Sequence, residues 1–153
     1  MKRIAICLLT LLLVLLLTAC GGGKEVDLDA LAGELTSSAA FTMDMTQFQA
    51  SDSAIAGTYG LADGQVTKSL MYYNTGTAEE IFLAQAADSK NADAVEQLCA
   101  SRVEAQTAWM QNYVPEAVPR LENAVIEKSG DYVVLVVAND SAAAKSIVDS
   151  YLK

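Results

Sequence analysis

Residues 131–152 read DYVVLVVANDSAAAKSIVDSYL, and this stretch decides the fold. Its first part is a run of apolar and β-branched residues, a composition that favours a β-strand over a helix. Asp140 and Ser141 end the run, and apolar residues at helical spacing follow. The stretch therefore predicts a strand over 131–138 and a helix over 141–152. Because consecutive strand residues are apolar, the strand should lie in the centre of a sheet.

The same pattern occurs once earlier in the chain. Aligning residues 81–95 with 133–147 places Leu83 over Leu135. IFLAQA is therefore predicted as a strand, although Thr77 opens a capping-box motif that would favour a helix there. A unit of two strands and one helix is thus predicted twice. The first unit has strands at 66–73 and 80–87 and a helix at 91–113; the second has strands at 122–128 and 131–138 and a helix at 141–152.

These units predict an α+β domain with a four-stranded antiparallel sheet and helices packed on one face. Ser129-Gly130 should form the turn of the last hairpin. An N-terminal helical region precedes the first unit. Its first helix should run from Asp27 to Ala39 with Asp27 as the N-cap, and a short helix around 53–59 should end at Gly60. We expect residues 27–153 to form a single domain.

Residues 1–19 have the features of a signal peptide. Lys2 and Arg3 give a positive start, and the apolar run IAICLLTLLLVLLL extends from Ile4 to Leu17. At about 1.5 Å per residue this run spans roughly 21 Å, which is less than the hydrocarbon core of about 30 Å. A permanent transmembrane helix is therefore disfavoured.

The sequence Leu17-Thr18-Ala19-Cys20 resembles the lipobox of bacterial lipoproteins. The resemblance implies signal-peptidase cleavage between Ala19 and Cys20 and a diacylglyceryl thioether on Cys20, with acyl chains such as palmitate. Two acyl chains hold a protein stably at a membrane. We therefore expect a lipid anchor on the extracytoplasmic face of the cell membrane, followed by a glycine-rich tether over 20–26.

Four further stretches carry a second resemblance. They are Tyr59-Gly60-Leu61, YYNTGTAEEIFLAQA, EAQTAWMQNYVPEAVPRLENAVI and GDYVVLVVANDSAAAKSIVDSYL. Through them the body of the chain, roughly 27–153, resembles a bacterial domain of unknown function, number 4358 in its series, typical of lipoproteins from Gram-positive anaerobes. This resemblance implies no reaction, ligand or catalytic residue.

Charge and composition argue against several functions. The formal net charge is −9, and loss of the leader with Lys2 and Arg3 changes it to −11. Charge of this sign repels nucleic acid, so no nucleic-acid partner is expected. The chain contains no histidine, and it shows neither a Gly-x-Ser-x-Gly motif nor a phosphate-binding glycine loop. We predict no enzyme, with no catalytic residue, no metal site and no cofactor.

The remaining candidate residues have structural interpretations. Five acids are interpreted as helix caps and solvated faces: Asp27, Asp29, Glu79, Glu80 and Asp140. Five sulfur-bearing residues could bind Cu(I) but are more typical of a core: Met43, Met45, Met71, Cys99 and Met110. Four aromatic residues could line a ligand groove but have the spacing of core and rim packing: Tyr72, Tyr73, Trp109 and Tyr113.

Two binding functions remain. The first is a non-enzymatic binding or interaction module of the cell envelope, held by lipid on Cys20 and contacting a protein or wall component. The alternative is a small solute-binding component associated with a transporter. An exposed patch of aromatic side chains would favour the first, and a closed pocket with converging polar groups would favour the second.

Overall fold

The computed structural model describes residues 24–153; the predicted signal peptide, its predicted cleavage site at Ala19 and Cys20, and Gly21 to Gly23 lie outside the described residues. The α-helices are α1 (Leu28–Ser37), α2 (Asp52–Tyr59), α3 (Ser89–Tyr113), α4 (Val118–Glu122) and α5 (Ser141–Leu152). The strands are β1 (Val66–Tyr73), β2 (Glu80–Ala86), β3 (Val125–Ser129) and β4 (Tyr132–Val137). Short 3₁₀ turns occupy Met45–Phe48 and Pro115–Ala117.

The strands form one antiparallel sheet in the order β1, β2, β4, β3. The predicted α+β class and four-stranded antiparallel sheet are therefore confirmed. Every residue of β4 is buried, as expected for a central strand that is apolar at consecutive positions. The capping-box motif at Thr77 does not begin a helix, because residues 80–86 form β2 as the internal repeat predicts.

Helices cover both faces of the sheet, which differs from the predicted packing on one face. On the first face, α1 and α5 pack against Leu83 and Val134. On the second face, α2, α3 and α4 pack against Phe82 and Leu135. The domain is consequently a three-layer arrangement with a hydrophobic core on each side of the sheet.

The register between β2 and β4 explains this difference. The alignment of the two units places Phe82 over Val134, and each of these residues faces the helix of its own unit. In the sheet, however, Phe82 is paired with Leu135. Paired residues share a face, and successive residues along a strand alternate between faces. A register that pairs Phe82 with Leu135 therefore places the two unit helices on opposite faces.

Local signals end the helices and turns where the sequence predicts. The carboxylate of Asp27 accepts hydrogen bonds from the backbone N–H groups of Asp29 and Ala30 at the start of α1. Gly60 ends α2 with a φ of 67°, and Gly130 joins β3 to β4 with a φ of 57°. Both angles lie in the left-handed region that glycine adopts without a Cβ clash.

The sheet has two ends, which we call the near end and the far end. Residues 25–28 lie beside Gln85 and Tyr132, and the Lys24 Nζ donates to the Ser150 carbonyl at 3.3 Å. The near end is therefore the end at which the described chain begins. The strand termini at the near end are Val66, Ala86, Ser129 and Tyr132, and those at the far end are Tyr73, Glu80, Val125 and Val137.

The packed domain starts one residue earlier than predicted. Val26 is 6% exposed and belongs to the core on the first face. Its burial removes it from the predicted tether over 20–26, because an apolar side chain in the core cannot also act as free linker. Among the described residues, Lys24 and Glu25 are the exposed ones that precede the core.

Among the elements of residues 24–153, helix α3 is the longest, with 25 residues. Charged residues occur along it, including Asp93, Glu96 and Arg102. In the described part of the chain, 24–153, no helix is both long and apolar enough to span a membrane.

Candidate functional site

The far end carries the largest exposed aromatic surface of the described domain. Helix α3 begins at the near end, and Arg102 lies level with Glu80 at the far end of β2. Trp109 and Tyr113 follow Arg102 by two and three helical turns, which places them about 10 and 16 Å further along the helix axis. The last turns of α3 thus extend beyond the sheet on the side away from residue 24.

Trp109 and Tyr113 stack on each other. Their ring centroids are 4.6 Å apart and the ring planes differ by 25°. Trp109 is 48% exposed and Tyr113 is 68% exposed. The sequence predicts core or rim packing for all four aromatic residues. Tyr72 and Tyr73 are half-buried and fit this prediction, whereas Trp109 and Tyr113 do not.

A buried ion pair fixes the part of α3 that leads to the aromatic pair. Arg102 Nε and Nη2 donate to Glu80 Oε2 at 3.2 and 2.9 Å. The Tyr59 hydroxyl donates to Glu80 Oε1. The Arg102 guanidinium also lies 4.8 Å from the centre of the Tyr73 ring, in cation–π geometry. These contacts join α2, β1, β2 and α3 at one point.

Burial and charge shift the pKa values in this cluster. Burial raises the pKa of Tyr59 well above its ordinary value, and the neighbouring Glu80 carboxylate adds to the rise. Burial is the largest single influence on Arg102 and acts against its charged form, but the hydrogen bonds and charge of Glu80, with smaller effects from Tyr59 and Tyr73, together outweigh it and raise the guanidinium pKa. The cluster is therefore built to keep Arg102 charged and Tyr59 protonated.

Glu79 is the second buried acid, with 0% exposure. Its carboxylate accepts from the Thr42 backbone N–H at 2.7 Å, from Thr42 Oγ1 at 2.5 Å and from Thr77 Oγ1 at 3.0 Å. The interpretation of Glu79 and Glu80 as solvated or capping acids is thus wrong. Both side chains point into protein: Glu80 is the first residue of β2, a central strand covered on both faces, and Glu79 directly precedes it.

The loop before Glu79 has an unusual backbone conformation. Ala78 is a buried non-glycine residue with a φ of 60°, a conformation that costs of order 1–3 kcal/mol and persists when surrounding contacts fix it. Such contacts come from Arg120, whose Nη1 donates to the Thr77 carbonyl at 3.3 Å and whose Nη2 donates to Asn139 Oδ1 at 3.3 Å.

The sulfur-bearing candidates are dispersed in the fold. Met45, Met71, Met110 and Cys99 are buried among apolar side chains, as the core interpretation predicts, whereas Met43 is 49% exposed. Burial raises the pKa of the Cys99 thiol, with Glu80 as a second cause, so this thiol stays protonated at neutral pH. Among residues 24–153, no three His, Cys, Asp or Glu side chains are grouped to hold a metal ion.

The other sequence-predicted residues have simple positions. Asp140 caps α5, accepting from the Ala143 backbone N–H at 3.0 Å, as predicted. Cys20 and Ala19 lie outside the described residues, so their predicted lipidation and cleavage stay predictions.

The aromatic stack has a sequence signal, because Trp109 and Tyr113 are four residues apart on a helix. Sequence reasoning did not identify their exposure, since helical spacing alone does not tell which face is covered.

A depression at the near end is a candidate for a small-molecule pocket. It has a volume of about 410 Å³ and lies between α2 and the start of β1, within the common range for ligand pockets of about 300–1,000 Å³. Of its three charged lining residues, Asp52 and Asp63 are exposed and Lys68 is half-buried, so most of the charge that could meet a bound solute lies in water.

The described domain is thus a three-layer α+β fold whose far end presents a stacked aromatic pair supported by a buried ion pair. The family described as Domain of unknown function (DUF4358) matches residues 37–138. The chain belongs to this family. The match runs from the end of α1 to the residue after β4, so it includes both buried acids, Arg102 and the aromatic pair. Searches of curated proteins and of solved structures gave no significant match.

Proposed function

We propose that this protein is a lipid-anchored lipoprotein of the cell envelope whose domain is a non-enzymatic binding module. The lipobox-like sequence ending at Cys20 supports the anchor, since it follows a charged start and an apolar run of signal-peptide length. The proposed location is the extracytoplasmic face of the cell membrane. The partner is a membrane protein or wall component that the far end contacts.

The observation that carries the binding function is the exposed Trp109 and Tyr113 pair at the end of the domain opposite residue 24. Large aromatic side chains are normally buried, and each exposed one leaves apolar area in water that a partner can cover. A rigid helix carries both rings, so a partner would find them already ordered. Preorganisation of this kind reduces the entropy lost on binding.

The position of the pair also suits an anchored protein. Cys20 precedes the first core residue, Val26, by only a few residues, and a flexible linker of about five residues reaches on the order of 12 Å. A lipid on Cys20 would therefore hold the near end close to the membrane surface. The far end would then face the envelope space, where a second component can reach it.

The alternative, a solute-binding component of a transporter, has less support. It would use the depression between α2 and β1, whose lining acids Asp52 and Asp63 are solvent-exposed. Ligand pockets of this size usually bury most of the ligand surface and bring a few polar groups together. An equilibrium binding assay with solute libraries can search for a ligand. A ligand that also protects the region around Asp52 from hydrogen exchange would favour this alternative.

Site-specific photocrosslinking in intact cells tests the binding function. A photoreactive phenylalanine analogue is placed at Tyr113 in the far end, and the matched control carries it at the exposed Asp63 in the near end. We expect a discrete adduct with one envelope component from position 113 and none of that mass from position 63. Equal adducts from both positions, or no adduct from position 113, would contradict the proposal.

A further inference from the structure

We infer that the Trp109 and Tyr113 pair binds a neutral saccharide chain. This inference rests on the proposed binding function of the far end and names the chemistry of its partner. A sugar ring has one face of C–H groups and a rim of hydroxyls. The C–H face packs on the electron-rich face of an aromatic ring, and the hydroxyls need hydrogen-bonding groups beside that ring.

The geometry of the pair suits stacking. The two rings face each other at a centroid distance of 4.6 Å, so each ring uses one face for the other, and both rings still expose surface to solvent. Trp109 presents about half of its surface and Tyr113 about two thirds. A sugar unit can therefore lie on the exposed surface of one ring while the next unit of the chain contacts the other.

The segment of α3 that carries the pair is uncharged. Residues 105–113 read AQTAWMQNY and contain no charged side chain. Gln106 Oε1 accepts from the Tyr73 hydroxyl at 2.9 Å, which leaves its NH₂ group to donate to a ligand. Asn112 Nδ2 donates to the Ala108 carbonyl at 3.0 Å, which leaves its Oδ1 to accept from one. One free donor and one free acceptor thus lie on the same segment of α3 as the rings.

Charge favours a neutral ligand over an anionic one. The chain carries a net charge of −9, and no basic residue lies in 105–113 to attract phosphate or carboxylate. An anionic lipid surface would require such basic residues. A basic peptide would require acids beside the rings, and residues 105–113 carry none of those either.

Area argues against a second copy of the chain as the occupant. The exposed parts of two aromatic side chains amount to on the order of 250 Å². A stable protein interface buries about 800 Å² on each partner. The aromatic pair alone is therefore too small for a stable dimer, whereas a contact of this size matches one or two sugar rings.

Intrinsic fluorescence tests the inference directly, because Trp109 is the single tryptophan of the chain. The full-length protein is reconstituted in phosphatidylcholine vesicles and titrated with an N-acetylglucosamine hexamer and, separately, with maltohexaose. Stacking of a sugar ring would remove the indole from water. We expect a saturable shift of the emission to shorter wavelength with at least one of these neutral oligosaccharides.

Two variants that keep the fluorophore provide the comparison. Tyr113→Ala should weaken saccharide binding by about threefold or more, since it removes one of the two stacking surfaces. Gln111→Ala lies on the same helix, away from the aromatic face, and should change binding by less than about twofold. Because these residues are exposed, both variants should retain the thermal midpoint of the parent protein.

The outcomes separate this inference from the proposed function. If neither oligosaccharide changes the emission while position 113 still crosslinks to an envelope protein in cells, the saccharide assignment is wrong and the binding function stands. A saturable response only to polylysine or only to anionic vesicles would likewise overturn the saccharide assignment. If saccharide binding is equal in Tyr113→Ala and the parent, the pair is not the site.

Discussion

Arg102 and Glu80 form an ion pair that crosses from helix α3 to the first residue of strand β2, with both side chains almost out of solvent. Arg102 is 13% exposed and Glu80 is 2% exposed, and the closest nitrogen and oxygen are 2.9 Å apart. A buried pair of this kind costs much desolvation, which the mutual attraction and the added hydrogen bond from Tyr59 offset. It fixes the level of α3 against the sheet, and thereby the distance by which the aromatic pair extends beyond it.

Removing the positive charge of Arg102 should strongly destabilise the folded protein. Arg102→Met leaves the Glu80 carboxylate buried without a counter-charge and should lower the free energy of unfolding by about 3–5 kcal/mol. Adding Glu80→Gln to this variant removes the charge and should restore part of the loss. Urea denaturation followed by circular dichroism measures both values.

An exposed ion pair serves as the control for this experiment. Lys128 contacts Glu96 at 3.0 Å near the other end of α3, and both side chains are partly in water. Lys128→Met should leave the urea midpoint nearly unchanged, because solvent screens such pairs. A similar loss in Lys128→Met and Arg102→Met would show that burial is not what gives the Arg102 pair its effect.

Tyr59 should make stability depend on pH in the alkaline range. Its pKa is raised in the folded protein by burial and by Glu80, whereas an unfolded tyrosine titrates near pH 10. The folded state therefore holds this proton more tightly. The contribution to stability is complete below about pH 10 and is lost as the pH rises through the folded-state pKa.

The variant Tyr59→Phe isolates the contribution of the Tyr59 hydroxyl to the pH dependence of stability. It removes a hydrogen bond to a charged acceptor and should cost about 1.5–3 kcal/mol near pH 7. Above about pH 10, the unfolding free energy of the variant should fall less steeply than that of the parent. The matched control is Tyr113→Phe, which removes the hydroxyl of the exposed ring. Parallel pH curves for Tyr59→Phe and the parent would refute the argument.

Much of the secondary structure could be predicted from the sequence because its signals are local. Asp27, Gly60 and Gly130 mark boundaries by their own conformational chemistry, and the β-branched run of β4 identifies its strand. The face that each helix covers could not be predicted in this way. It depends on whether Phe82 pairs with Leu135 or with its repeat counterpart Val134, and a one-residue register choice has no local signature.

The same limit applies to the candidate site. Thr77-Ala78-Glu79-Glu80 has the sequence of a capping box, a motif whose acids usually lie at the surface. The decisive partners of these acids, Thr42 and Arg102, are distant in the chain. Only the folded sheet brings them together, so the burial of Glu79 and Glu80 follows from tertiary structure and not from their neighbours in sequence.

The hydrogen bonds of Glu79 should hold residue 42 against the loop before β2. In Glu79→Gln one carboxylate oxygen becomes an NH₂ group that faces hydrogen-bond donors, including the Thr42 backbone N–H and hydroxyl. We expect a loss of about 1–3 kcal/mol, measured by urea denaturation. Thr42→Val removes one donor and should cost less, and Thr42→Ser should restore most of that difference.

A surface acid provides the reference for this measurement. Glu116 is exposed, so Glu116→Gln should change the unfolding free energy by no more than about 0.5 kcal/mol. If Glu79→Gln is as mild as Glu116→Gln, the three hydrogen bonds to Glu79 do not stabilise the fold in the way proposed.

The proposed anchor gives the prediction with the clearest chemistry. Only the sulfur of Cys20 can carry the diacylglyceryl thioether, so Cys20→Ser should abolish incorporation of labelled palmitate. The folded domain should be unaffected, because Cys20 precedes the first core residue, Val26. The variant should appear either as an uncut precursor or as a form released from the membrane, since the two acyl chains that hold the protein are gone.

Cys99→Ala is the matched control: its thiol is buried inside the domain, so this variant should still incorporate label and partition into detergent. Mass spectrometry of the N-terminal peptide of the mature parent protein should find a chain that begins at a lipidated Cys20. An unmodified Cys20, or palmitate incorporation that persists in Cys20→Ser, would remove the basis for the anchor, because no other residue in the lipobox-like sequence can form the thioether.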